Sequence, residues 1–218
     1  MVVVGIGLTS TIIYYNYKCQ KRKKNYWGID LSHHQQYLSY ETLINENKPD
    51  FVYLKSTEGK SFVDPEYQSR LLKFRELNIP VGAYHFFRYD VSGKEQAENY
   101  LKTAQIKRGD LYPVLDVEMR YSSTRSKQWI TSEIKSFCDL VKQEYNVNPI
   151  LYCENDYYQK YLKEGFNDYD FWISDFVRAP RCDYIIWQYD TLNVKGVKGK
   201  IDNNKLHSSV DLNQIILK

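Results

Sequence analysis

Short apolar runs alternate along most of this chain with longer stretches whose apolar residues recur every three or four positions. The short runs are 26–32 (YWGIDLS), 51–57 (FVYLKST), 80–87 (PVGAYHFF), 112–118 (YPVLDVE), 149–154 (PILYCE), 170–174 (DFWIS), 184–189 (YIIWQY) and 208–213 (SSVDLN). Their length and their Val, Ile, Tyr and Phe content predict strands. Helices are expected between the early ones. Asp64 and Pro65 open one that carries Tyr67, Leu71, Leu72 and Leu77. Ser92 and Glu95 form a capping-box pattern ahead of Ala97, Tyr100, Leu101 and Ala104. Residues 124–145 set Trp129, Ile130, Ile134, Phe137, Leu140, Val141 and Tyr145 on one stripe. A weaker helix is expected over 36–46, and Asn155 should cap a short one running to Leu162. Beyond residue 165 the gaps are too short for full helices. The stretches 175–183 and 190–207, the latter with Gly196, Gly199 and "DNN", read as loops.

Strands alternating with helices predict a parallel sheet, and eight strands predict its closure into a barrel. The competing open, doubly wound sheet lacks support, because no GxGxxG follows the first strand. The fold class expected is therefore α/β, an irregular (β/α) barrel.

The run LYPVLDVEM carries two acids in an otherwise apolar strand. Strand residues two apart share a face. Leu111, Pro113, Leu115, Val117 and Met119 would pack under helices. Tyr112, Val114, Asp116 and Glu118 would face the barrel interior, with both carboxylates at the C-terminal end where parallel barrels place their chemistry. Strand rise alone separates their Cβ atoms by roughly 6.5–7 Å. Two buried acids that close repel, so one should hold a proton, which is the pairing glycoside hydrolysis uses. Asp30, late in the first strand, and Asp211, in the last, would join them, because first and last strands are neighbours in a closed barrel.

Composition narrows the classes. Of 218 residues, 43% are hydrophobic and 26% charged, as expected of a globular domain. A net charge of +3 with no basic stripe past residue 24 argues against nucleic acid. The 21 tyrosines suit either a wet groove for ring-shaped polar ligands or a tyrosine-rich core. Tyr84, Tyr152 and Trp187, on predicted strands, are the candidates for substrate contact. Cys19, Cys138, Cys153 and Cys182 form no CxxC pair, and Cys138 and Cys153 should be buried thiols. Residues 1–24 are apolar for about 17 positions and then basic (KCQKRKK), near the lower limit of a membrane span. They predict a targeting or anchor segment ahead of a catalytic domain over 25–218. The basic cluster by itself would keep that domain in the cytoplasm.

The ordered set GIDLSHHQ, FVYLKSTEG, PVGAYHFFR, YPVLDVE, FWISDF, IIWQYD and VDLN resembles glycoside hydrolase family 25, the Chalaropsis-type lysozymes or N-acetylmuramidases, over about residues 26–215. The resemblance implies five βα units with three further strands. It also implies cleavage of the β-1,4 bond between N-acetylmuramic acid and N-acetylglucosamine in peptidoglycan. Carried onto this chain, Glu118 is the general acid and Asp116 the nucleophile or the orienter of the substrate N-acetyl group. Asp30 and Asp211 are the two further acids of the cavity. A monomer outside the cytoplasm, acting on peptidoglycan strands without a cofactor, is expected.

Two rival classes make distinct demands. A metal hydrolase would draw on His33, His34, His85 and His207 with the aspartates, but their spacing matches no ligand motif. A non-catalytic glycan-binding module would use the aromatics and have no need of Asp116 and Glu118 on one face.

Overall fold

The computed structural model describes residues 25–118 and 125–218. Its strands are β1 (Trp27–Leu31), β2 (Phe51–Glu58), β3 (Phe62–Val63), β4 (Val81–Phe86), β5 (Val114–Asp116), β6 (Ile150–Glu154), β7 (Phe171–Ser174), β8 (Ile186–Asn193) and β9 (Lys200–Leu206). Helices α1 (Tyr40–Asn47), α2 (Tyr67–Glu76), α3 (Gly93–Ala104) and α4 (Lys127–Tyr145) follow β1, β3, β4 and β5. The short α5 (Asn155–Tyr157) follows β6 and runs into a π-helical turn, Tyr158–Leu162.

The sheet runs β1-β9-β8-β7-β6-β5-β4-β2, with β3 beside β2, and a β1–β2 pairing closes it. The barrel strands pair in parallel except β9, which is antiparallel to both β1 and β8. Five βα units and three further strands result, as the resemblance implied.

The expected Ser92 cap forms, whereas the helix after β6 has no side-chain cap from Asn155. Ser92 Oγ accepts from the Glu95 amide at 3.2 Å and donates to its carboxylate at 2.8 Å. Ser126 accepts from the Trp129 amide at the start of α4, whose residues Ile130, Ile134, Phe137 and Val141 are buried. Helices α3 and α4 touch at Gly93, where an added Cβ would lie 1.9 Å from the Glu133 carbonyl oxygen. Cys138 and Cys153 are buried free thiols.

The last strand differs from the expectation. Residues 208–213 form no strand; Asp211 there caps a 3-10 turn, Leu212–Ile215. The eighth barrel strand is β9, KIDNNKL, inside the stretch read as a loop. Asp and Asn have low strand propensity, yet β9 is paired along both edges, and tertiary pairing outweighs propensity.

Two apolar layers result. Ile29, Leu31, Val52, Leu54, Leu115 and Val117 point outward under the helices. Phe51, Tyr53, Val114, Ile150, Trp172, Ile186 and Leu206 fill the barrel interior below. Gly28 and Gly82 make room for this plug: a Cβ on either would lie 2.3 or 2.4 Å from the Phe51 or Tyr53 ring. Above the plug the inward positions turn polar.

Candidate active site

A pocket of about 280 Å³ opens at the C-terminal ends of the parallel strands and is lined by Asp30, Asp116, Glu118 and Asp202. Asp30 comes from β1, Asp116 from the end of β5 and Asp202 from β9; Glu118 lies two residues past β5. Asp30 and Asp202 are direct cross-strand partners. Like charges facing each other on adjacent strands repel, so this register is unfavourable with both ionised.

Asp30 is held on one oxygen. Its Oδ2 accepts from Asn204 Nδ2 at 2.8 Å and from Gln188 Nε2 at 3.3 Å. Both amides are oriented from behind: Trp172 Nε1 donates to Asn204 Oδ1 at 3.0 Å, and the Tyr152 hydroxyl donates to Gln188 Oε1 at 2.8 Å. Burial first, then the facing Asp202, pushes the Asp30 carboxyl up to about 8, against the hydrogen bonds from Asn204 and Gln188. Burial likewise raises Asp202. Asp116 is 8% exposed, and its Oδ1 has no hydrogen-bond partner among the described residues. Burial and then the Glu118 charge raise its carboxyl well above the usual range; Lys55 opposes them. Removal from water and mutual repulsion both favour the neutral acid.

Lys55, two residues past inward Tyr53, reaches the pocket by alternation, and Glu58 is the residue that strand parity hides. The register of β2 on β4 shifts between Lys55 and Thr57, an inserted-residue bulge. By alternation Lys55 and Glu58 would face opposite ways. The bulge brings Glu58 to the pocket as well, where Lys55 Nζ meets Glu58 Oε2 at 2.7 Å and lies 4.7 Å from the centre of the Phe86 ring. The same shift turns Thr57 outward onto buried His85, whose Nδ1 lies 2.7 Å from Thr57 Oγ1 and whose Nε2 lies 3.1 Å from Gln96 Oε1.

Of the candidates from sequence, Asp30, Asp116 and Glu118 share the pocket with Tyr84 and Tyr152. Burial holds both tyrosine hydroxyls in the protonated form. Asp211 does not join them. Its side chain accepts from the Asn213 amide and from the Tyr26 hydroxyl, away from the pocket, because 208–213 is not a strand. Asp202 stands where Asp211 was expected; it was missed because "IDNN" reads as a turn. Trp187 also falls elsewhere. It does not line the pocket; its Nε1 donates to the Asp175 carbonyl at 2.8 Å and its ring carries Lys205 at 4.3 Å. Trp172, from β7, supplies the pocket's indole.

The four histidines do not gather at one point: His33 pairs with Asp64 at 2.8 Å and its ring lies 4.1 Å from that of His34, which lines the pocket, while His85 is buried among Thr57 and Gln96 and His207 contacts Ser209. Among the described residues no group of three or more His, Cys, Asp or Glu is arranged to hold a metal. No described helix is long and apolar enough to cross a membrane; the expected anchor, 1–24, with Cys19, lies outside the described residues.

Residues 29–197 match the profile of the family described as Glycosyl hydrolases family 25. The chain is 30% identical over 193 residues to the uncharacterized protein YegX of Escherichia coli K12, covering 84% of this chain and 70% of YegX. Its fold is similar to that of a family 25 glycosyl hydrolase from Bacillus anthracis, with a TM-score of 0.78, 26% identity, and 86% and 91% of the two chains covered. It is equally similar to the bacterial lysozyme from Streptomyces coelicolor, with a TM-score of 0.79, 25% identity, and 88% and 95% covered. A closed barrel of five βα units and three more strands is thus matched in sequence and in shape, and the chain belongs to glycosyl hydrolase family 25, a glycoside hydrolase.

Proposed function

We propose that residues 25–218 form an N-acetylmuramidase domain. It cleaves the β-1,4 bond between N-acetylmuramic acid and N-acetylglucosamine in peptidoglycan, as a monomer outside the cytoplasm, with any membrane attachment made through residues 1–24. The observation that carries this reading is the shared pocket of Asp116 and Glu118, with one carboxyl buried and the other at the partly exposed rim. A pair of acids that holds one proton can donate it to a leaving oxygen while the other acid faces the sugar carbon.

In this reading Glu118, at the rim, delivers the pair's proton to the glycosidic oxygen. Asp116 then carries the charge, with Lys55 favouring that form, and stabilises the developing cation. It does so as nucleophile or by orienting the substrate acetamido oxygen. Asp30 and Asp202 border the same cavity, and Tyr84 and Tyr152 line it as sugar contacts, Tyr152 through its ring because its hydroxyl holds Gln188. A second reading exchanges the two roles, because burial places the raised carboxyl on Asp116.

The test is mass spectrometry of fragments released from purified peptidoglycan by the wild type and by Glu118→Gln. New reducing-end N-acetylmuramic acid is expected from the wild type, and a loss of roughly a thousandfold in turnover, with binding kept, from the variant. Near-normal turnover in Glu118→Gln would remove it from the acid's role and favour the exchanged reading. Intact glycan with the wild type would overturn the muramidase reading and return the binding module.

A further inference from the structure

The loop between β1 and α1, SHHQ over residues 32–35, forms one wall of the active pocket through Ser32, His34 and Gln35. Its polar groups are spent on holding it still. The Gln35 amide donates to the Ser32 carbonyl at 3.1 Å. The Gln35 side chain accepts from the Ser32 amide at 2.9 Å and donates to the Lys200 carbonyl of β9 at 3.4 Å. Ser32 Oγ accepts from the His34 amide at 3.3 Å.

Two buried charged residues grip the loop from behind. Arg70 of α2, 3% exposed, donates from Nη1 to the Ser32 carbonyl at 2.7 Å and from Nη2 to the Gln35 carbonyl. Asp64, 2% exposed, uses Oδ2 to accept from the His33 amide at 2.9 Å and from His33 Nδ1 at 2.8 Å. A buried guanidinium or carboxylate is costly unless its hydrogen bonds are met. Here both are met chiefly by this one short loop, so a large local expense goes into fixing where it lies.

One polar side chain of the loop is left over. The His34 ring is exposed, lines the pocket and makes no hydrogen bond among the described residues. It lies 4.1 Å from the His33 ring, which Asp64 fixes, so the grip reaches His34 through a single ring contact. Burial, then the neighbouring His33 and Lys55, lower the His34 pKa from its ordinary 6.5, against Asp64 and Glu58, and leave the ring neutral at pH 7. A neutral imidazole donates from one nitrogen and accepts on the other, which matches the donor and acceptor of a sugar hydroxyl.

We propose that His34 binds a hydroxyl of the sugar in the pocket, and that Arg70 and Asp64 are positioning residues that act through it. The inference rests on the muramidase reading. Its test is a double-mutant cycle: kcat and KM on purified peptidoglycan for the wild type, His34→Ala, Arg70→Met and the pair combined. His34→Ala should raise KM about fivefold with kcat kept, the scale of one neutral hydrogen bond made equally to substrate and transition state. Arg70→Met should raise KM about threefold alone and add almost nothing in the His34→Ala background, because residues that act as a unit are not additive. Should Arg70→Met fail to fold, as read by urea unfolding, Arg70→Lys, which keeps one of the two carbonyl bonds, takes its place in the cycle. An unchanged KM in His34→Ala overturns the contact. Equal Arg70 effects in both backgrounds, or a loss confined to kcat, overturn the positioning role and leave the muramidase standing. A wild type that releases no reducing-end N-acetylmuramic acid overturns the muramidase reading and this inference with it.

Discussion

Replacing Asp30 by Asn should stabilise the protein at pH 8 while lowering its activity. The Asp30 carboxyl lies at about 8 in the folded protein, against an ordinary value of 3.8. The folded state thus holds a proton that the unfolded chain has lost. Stability falls as pH rises from about 4 to about 8 and levels off above, the sign for a group that binds protons more tightly when folded. At 1.36 kcal/mol per pH unit, a window of about four units sets a ceiling of roughly 5 kcal/mol. Asn keeps the local bonding, because both donors, from Asn204 and Gln188, converge on Oδ2, which an amide oxygen replaces. The variant has no charge to bury there. It also relieves Asp202, its cross-strand partner, whose own burial keeps part of the pH dependence in place. The expected gain is about 2–3 kcal/mol at pH 8, shrinking toward zero at pH 4. Urea unfolding of wild type and Asp30→Asn at pH 4, 6 and 8 reads it directly. A variant less stable than wild type at pH 8, or one with the wild-type slope between pH 4 and 8, would refute the reasoning.

Two more perturbations address the pocket and its support. Lys55→Met removes the cation that opposes the rise of Asp116, so the acid limb of the kcat–pH profile should move to higher pH, with Lys55→Arg restoring it; an unmoved limb in Lys55→Met would separate Lys55 from the chemistry. Gly93→Ala drives a methyl into the Glu133 carbonyl at 1.9 Å and should cost about 1–3 kcal/mol by spreading α3 from α4, read as a lower urea midpoint.

Much of the barrel was legible because its parallel strands are buried on both faces and read as apolar runs. The acids Asp116 and Glu118 stood out because charge on such a run is costly. What stayed hidden has local causes. β9 carries Asp202, Asn203 and Asn204 among lysines, so its strand state comes from the two edges it pairs with, which no single-strand pattern reports. That one misreading moved the fourth acid from Asp202 to Asp211. Lys55 and Glu58 were invisible as pocket partners because only the bulge after Lys55 brings residues three apart to one face. Trp187 was assigned inward from strand membership alone, whereas its neighbours Ile186 and Gln188 hold the inward positions.

The apolar plug below the pocket also governs traffic. With Phe51, Tyr53 and Trp172 filling the barrel's lower half, solvent reaches the acids from the strand ends and not through the barrel's core. A sugar seated over that aromatic floor displaces the pocket's water, and the acids then trade protons with the sugar rather than with bulk solvent.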